Sequence, residues 1–249
     1  TYWKKIFDLN LKNISKLETP VVIMAGGEGT RMKPFTHILP KPLIPINEKP
    51  IIEHIMEKFR VQGISNFLFT INHKAEIMKA YFKETYSKSK IKYVQERTPL
   101  GTAGSLKLLN KSLTNNFFVI NCDTLVDIDC KDIIEFHKKK ENLITIIVAA
   151  KQHLIPYGVC NVNKKGELKK ITEKPKINFF ASSGIYLVNP RALKLIPKNK
   201  KFDFPELISL VKKKKYKVGV FPIDDNSWFD VGQWEEYRKT INKMKINEN

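Results

Sequence analysis

Along the chain the apolar positions change period several times. Strand-like runs, most of them apolar and rich in Val, Ile and Phe, occupy 21–25, 66–71, 91–95, 117–121 and 143–150. Between them, segments 50–62, 74–85, 102–110 and 131–140 place apolar residues three and four apart, the spacing of a helix with one buried face. Strands apolar on both sides and separated by helices predict a parallel sheet covered on both faces. After residue 150 the rhythm shortens. Segments 157–162, 167–172 and 183–188 read as short strands, with a turn at Asn163-Lys164-Lys165-Gly166, and together they predict an antiparallel addition to the sheet. Helices at 190–196 and 204–213, a strand at 216–222 and a helix from about 232 complete the pattern. The expected fold class is α/β: a doubly wound, Rossmann-like mixed sheet with a small antiparallel addition. One domain is expected over 20–249, with 1–19 as an N-terminal extension or the remnant of a linker.

Composition narrows the picture. A chain of 249 residues with 42% hydrophobic positions can bury a proper core. No apolar run approaches the roughly 18 residues of a membrane span. Residues 1–20 lack the apolar stretch and small-residue cleavage site of a secretory leader. Cys122, Cys130 and Cys160 are scattered without a CxxC pair, so neither a zinc site nor a disulfide framework is expected; they suit a reducing cytoplasm. A net charge of +19 invites a nucleic-acid reading. Yet of 44 basic residues only Arg31, Arg60, Arg97, Arg191 and Arg238 are arginines. The runs KKK at 138–140 and KKKK at 212–215 follow amphipathic segments and read as solvated helix ends. Neither nucleic acid nor membrane is expected as a partner.

Candidate chemistry begins directly after the first strand. In VIMAGGEGTRMKPFTHILPKPLIPI, residues 22–46, a Gly-rich half (Gly26, Gly27, Gly29) is followed by a Pro-pinned half (Pro34, Pro40, Pro42, Pro45), with Arg31 in one and Lys41 in the other. Such a loop lies at the carboxyl end of the sheet, where doubly wound folds bind ligands. Glycines allow backbone N–H groups to approach phosphate oxygens. Gly-Lys-Ser/Thr is missing, so this is not a P-loop, and the third spaced glycine of a dinucleotide-binding turn is missing too. Prolines on both sides would hold Lys41 in place. Two positioned cations facing a backbone cradle suit a polyphosphate with a charged transition state.

These residues resemble the GGxGTRLxPLTxxxPKPLxPV signature of sugar-phosphate nucleotidyltransferases, with Met32, Phe35 and Ile46 as mild departures. The resemblance extends over about 21–245 and implies the nucleotide-diphospho-sugar transferase fold. It also implies transfer of a nucleotidyl group from a nucleoside triphosphate to a sugar 1-phosphate, with release of pyrophosphate. Within it, Ala25, Gly26, Gly27, Gly29 and Thr30 would bind the nucleotide, and Arg31, Lys41 and Lys174 would be catalytic. QERTPLGTAGSL, at 95–106, resembles the base-recognition loop, which implies nucleotide contacts from Gln95, Gly101 and Thr102; read alone, it is a polar turn opening a helix. Asn121-Cys122-Asp123 and Trp228-Phe229-Asp230-Val231-Gly232 resemble the family's metal-binding stretches, which makes Asp123 and Asp230 the expected Mg²⁺ carboxylates. Tyr157-Gly158-Val159, Glu173-Lys174-Pro175 and the stretch around Ser183 resemble its sugar-binding parts, implying Gly158, Glu173 and Ser183 as sugar contacts; alone, Glu-Lys-Pro is the end of a solvated strand. Ser183 stands where Asn or Thr is commoner in the family.

No general base is expected, because a sugar-phosphate oxygen is already ionised at neutral pH. His37 lies inside the signature loop and reads as a surface residue. PLGTAGSL looks most like branches that use GTP, including those acting on mannose 1-phosphate. The whole chain is similar to guanylyltransferases that use glucosamine 1-phosphate in bacterial legionaminic acid synthesis, a route to flagellin glycosylation. That resemblance implies an upstream pair of cystathionine-β-synthase-type (CBS) regulatory domains. Uridylyl or thymidylyl transfer to another hexose 1-phosphate, and a non-catalytic regulatory relative, are the alternatives. A homo-oligomer is a further expectation.

Overall fold

In a computed structural model of the chain, residues 16–86 and 91–246 are described, so residues 1–15 of the extension expected at 1–19 lie outside the described residues, while Leu17 bridges to Ile64. Strand β1 (Val21–Ala25) is apolar throughout because both of its faces are covered. Val21, Ile23 and Ala25 point into one core cluster and Val22 into another. Two short paired segments, β2 (Pro45–Ile46) and β3 (Lys49–Pro50), follow the signature loop. Helix α1 (Ile51–Arg60) buries Ile51, Ile52, Ile55, Met56 and Phe59, the stripe that its period predicts. Strand β4 (Phe67–Ile71), helix α2 (Ala75–Thr85) and strand β5 (Lys92–Gln95) continue the alternation. The segment predicted as one helix at 102–110 is a single α-turn, α3 (Gly101–Gly104), running into a 3₁₀ turn at Ser105–Leu109. Next come β6 (Phe117–Asn121), β7 (Thr124–Val126) and α4 (Cys130–Lys139), whose N-terminus Asp129 caps by accepting the Lys131 N–H at 2.8 Å.

The second half departs from the expected boundaries. Strand β8 (Ile144–Leu154) and strand β11 (Lys176–Val188) are much longer than predicted. The segment 183–188 does not belong to a small addition: β11 enters the main sheet between β6 and β8, antiparallel to both. Only β9 (Val159–Val162) and β10 (Leu168–Thr172) form a separate hairpin. The missed half of β11, Lys176–Ser182, pairs with β8 alone, beyond the core, so its residues are mostly exposed and show no alternation of buried and solvent-facing positions. A 3₁₀ turn at Pro190–Leu195 replaces the predicted helix there; α5 (Phe204–Lys213), β12 (Val218–Ile223), β13 (Trp228–Asp230) and α6 (Trp234–Ile246) follow.

The seven-stranded sheet runs β12-β8-β11-β6-β1-β4-β5, with β6, β1, β4 and β5 parallel. One core cluster packs α1, α2 and α4 against one face; the other packs the 105–109 turn, the 190–195 turn and α5 against the opposite face. Both lysine runs end helices, as expected, in the last turns of α4 and α5. No helix among the described residues is long and apolar enough to cross a membrane.

Candidate active site

The signature loop folds as three consecutive 3₁₀ turns, Thr30–Met32, Phe35–His37 and Lys41–Leu43. Gly29 opens the first with φ 66°, and its carbonyl accepts the Thr36 hydroxyl at 3.0 Å. A side chain there would lie 2.9 Å from Thr36 Cγ2 and 3.0 Å from Lys41 Cβ, so glycine is required by conformation and by space. Helix α6 pins the same loop. Trp234 Nε1 donates to the Lys33 carbonyl at 2.8 Å, Tyr237 donates to the Pro45 carbonyl, and Phe35 packs on Trp234 with ring centroids 5.0 Å apart. Lys41 is thereby held 7% exposed, with its ammonium paired to Asp123 Oδ2. His37 is exposed; its carbonyl accepts Lys74 Nζ at 2.8 Å and its N–H donates to the Pro34 carbonyl at 2.9 Å.

Two distant aspartates meet because β13 pairs with β7. Asp230 lies opposite Thr124, and the Val231 N–H donates to the Asp123 carbonyl at 2.9 Å. Gly232 N–H donates to Asp230 Oδ1 at 2.7 Å. A Cβ placed on Gly232 would collide with Asp123 Oδ2, with Asp230 Oδ1 at 2.8 Å and with Lys41 Nζ at 2.9 Å, so three charged groups surround one small cradle. Two hard carboxylate oxygens converging there suit a Mg²⁺ that keeps several waters. Neighbouring Cys122 is no nucleophile: burial, and to a lesser degree the Asp123 charge, push its thiol up to about 12.

A cavity of about 360 Å³ opens beside these groups. Gly26, Gly27, Gly29, Thr30, Arg31, Lys41, Gly101, Thr102 and Asp123 line it, bringing together most of the residues expected at a nucleotide site. Ala25 is buried at the end of β1 beneath the loop rather than on the wall. Gln95 is not brought to the cavity either; it is exposed and its side-chain oxygen accepts Lys79 Nζ at 2.8 Å. The next residue takes that place. Glu96 is 5% exposed and lines the cavity, and its Oε2 accepts the Leu100 N–H at 2.9 Å. Burial raises its carboxyl above the ordinary range, opposed by the Leu100 N–H and the Thr70 hydroxyl. Sequence reasoning missed Glu96 because successive strand residues face opposite ways, and the position where β5 ends decides which of the two turns inward. Asn121 and Lys201 also line the cavity. Lys201 had no sequence signal among so many lysines.

The expected sugar contacts form a second group. Gly158 and Glu173 adjoin, since a Cβ on Gly158 would lie 3.0 Å from Glu173 Oε2. Lys174 follows with φ 44°, and its N–H donates to the Tyr157 carbonyl at 3.2 Å. None of the three lines the nucleotide cavity. Ser183 is 2% exposed at an irregularity in β11, where its hydroxyl donates to the Ile147 carbonyl at 2.8 Å and its carbonyl accepts Thr124 Oγ1 at 3.3 Å. Its side chain is occupied in holding the sheet. Trp228 lies outside the nucleotide cavity as well, with Lys151 Nζ 4.8 Å above its ring.

Residues 20–246 match the family model described as nucleotidyl transferase. The chain belongs to that family. A D-glycero-alpha-D-manno-heptose 1-phosphate guanylyltransferase of Campylobacter jejuni is 34% identical, over 87% of this chain and 96% of the relative. A mannose-1-phosphate guanyltransferase of Yarrowia lipolytica is 34% identical over 87% of this chain, which spans only 61% of that relative. A UTP--glucose-1-phosphate uridylyltransferase of Synechocystis is 31% identical over 88% of this chain and 62% of its own length. Among solved structures, HddC from Yersinia pseudotuberculosis superposes with a TM-score of 0.70 at 29% identity, covering 91% of this chain and 99% of that one. The same protein has been solved in complex with GMP-PN. This nucleotidyl transferase is thus an enzyme of the sugar-1-phosphate class, with an α/β fold built on a mixed central sheet.

Proposed function

We propose that the enzyme transfers a guanylyl group from GTP to glucosamine 1-phosphate, as the resemblance to the legionaminic acid and flagellin-glycosylation branch implies. Glu96 is the observation that carries the choice of base. Guanine presents two adjacent donors, N1–H and the 2-amino group, which match a carboxylate; uracil and thymine present one donor flanked by two acceptors that a carboxylate repels. Glu173 supports the amino sugar: it has no ion-pair partner among the described residues and could receive the ammonium of glucosamine.

In this reading the Gly26–Thr30 backbone and Arg31 hold the β- and γ-phosphates and the departing pyrophosphate. Lys41 neutralises charge at the α-phosphate. Lys174 places the sugar phosphate, whose ionised oxygen attacks the α-phosphorus in line without a general base. Gly158 and Glu173 orient the sugar. Mg²⁺, held by Asp123 and Asp230, would supply further neutralisation of the phosphate oxygens. A cytoplasmic location, an upstream CBS pair and a homo-oligomer belong to the same proposal.

A second reading, heptose 1-phosphate as acceptor, is favoured by the Campylobacter relative. Both are tested by pyrophosphate release with Mg²⁺, each of GTP, UTP, dTTP, CTP and ATP, and the 1-phosphates of glucosamine, heptose, mannose and glucose. The expected result is release with GTP and glucosamine 1-phosphate. Preference for UTP or dTTP would overturn the guanylyl assignment, and preference for heptose 1-phosphate would overturn the sugar.

A further inference from the structure

We propose that Lys201 determines base specificity by donating a hydrogen bond to O6 of guanine while Glu96 receives the two donors beside it; this rests on the guanylyl reading. Lys201 sits on a strap before α5 that is bolted to the loop closing the cavity. Phe202 N–H donates to the Leu100 carbonyl at 2.9 Å, and the Phe202 carbonyl accepts the N–H groups of Ala103 at 3.0 Å and Gly104 at 2.8 Å. Asp203 Oδ1 accepts the Thr102 N–H at 2.7 Å and its hydroxyl at 3.0 Å. Gly101, at φ 78°, allows this contact: a Cβ there would lie 2.7 Å from Asp203 Oδ1 and 2.8 Å from the Phe202 carbonyl oxygen. The strap therefore holds Lys201 on the cavity wall beside the Leu100–Thr102 turn, next to Glu96, whose Oε2 accepts the Leu100 N–H at 2.9 Å.

Guanine needs three complementary groups on one edge. Its N1–H and 2-amino group find Glu96, and O6 needs a donor. Thr102 cannot serve, because its hydroxyl hydrogen goes to Asp203 and its oxygen accepts the Phe204 N–H at 3.0 Å. Lys201 is the lining cation that the strap brings to this turn, whereas Arg31 and Lys41 come from the signature loop. It has no ion-pair partner among the described residues, and a lysine offers three donors on a flexible stem. Adenine would turn a 6-amino donor towards that ammonium.

The test is calorimetric titration of wild type, Lys201→Met and Lys201→Arg with GTP, ATP and inorganic triphosphate, the last having phosphates but no base. Lys201 is exposed, so the variants should fold. The expected result is a Kd for GTP raised about 10–100-fold in Lys201→Met, the size of a lost charge-assisted hydrogen bond. Kd values for ATP and inorganic triphosphate should stay unchanged, and Lys201→Arg should recover most of the GTP affinity. An equal loss for inorganic triphosphate would place the lysine on the phosphates and overturn the proposal, as would an unchanged Kd for GTP. A wild type that does not favour GTP over ATP overturns the guanylyl reading and this proposal together; a GTP-selective wild type with an indifferent variant overturns this one alone.

Discussion

The nucleotide cavity and the ribbon that carries Glu173 are built by different means. Around the cavity, Lys41 and Asp123 are 7% and 9% exposed, and their loops sit on strands buried on both faces. The ribbon consists of the outer halves of β8 and β11 continued by the β9–β10 hairpin. There Leu154, Val162, Leu168, Ile171, Ile177, Phe179 and Phe180 are 47–63% exposed. One side of the hairpin sets Leu168 opposite Val162 and Ile171 opposite Cys160. A two-stranded ribbon is marginally stable alone, and such segments open at low free energy. The contrast suits two recognition tasks. A triphosphate is the same in every nucleotide and rewards a rigid cradle, whereas sugars differ, and a ribbon outside the core can change residues without disturbing packing.

The most severe way to break the rigid side is Gly232→Ala. The new methyl would push on Asp123, Asp230 and Lys41 together. We expect kcat to fall about 10³-fold, comparable to losing a preorganised charge stabiliser, with circular dichroism unchanged. Steady-state pyrophosphate release checks it. Normal turnover would mean that the three groups do not act as a unit.

His137, buried in α4 against the start of β8, gives the next largest effect. Its Nδ1 lies 2.8 Å from Thr145 Oγ1, and burial lowers its pKa to about 4. The unfolded chain, with an ordinary value near 6.5, therefore binds more protons between about pH 4 and 6.5. Stability contributed by the neutral imidazole is present above about 6.5 and is lost as pH falls towards 4, on the order of 3 kcal/mol at the extreme. Urea denaturation of wild type and His137→Gln across that range checks it, and the variant should show a flatter profile. A profile as steep as wild type would assign the acid sensitivity to other groups.

The same contrast explains what could be foreseen. Strands such as Val21–Ala25 and Phe117–Asn121 are legible because burial on both faces forces a continuous apolar run. The turn in the signature loop is legible because glycines and prolines have conformational meaning wherever they stand, and Gly29 does adopt a positive φ of 66°. Lys176–Ser182 was not legible as strand, since outside the core no periodic burial marks it. Nor could Lys201 be found, because its position depends on hydrogen bonds across a hundred residues of chain, from Asp203 to Thr102. Gln95 and Glu96 show the limit at its smallest: one residue of register separates the wall from the solvent face.

Glu173→Gln tests the ribbon's side of the comparison. It keeps shape and removes charge, so KM for glucosamine 1-phosphate should rise about 10–100-fold if a charged hydrogen bond is lost. The Kd for GTP should not move, because Glu173 does not line the nucleotide cavity. A matching change in GTP affinity would show that ribbon and cavity are coupled.

The smallest effect is the most direct measure of how differently the two regions are held. Leu168 is 60% exposed and faces Val162 across the hairpin. Leu168→Thr introduces a β-branched strand former at an exposed position, so urea denaturation should give a change within about 0.5 kcal/mol, as for other surface positions. Phe59, 1% exposed beneath the sheet, should lose about 3–5 kcal/mol when cut to alanine, because transfer and cavity terms add. If Leu168→Thr instead approached the Phe59→Ala loss, the ribbon's apolar face would be covered in solution. Its residues would then answer to packing after all, and the freedom ascribed to the sugar-binding side would have to be given up.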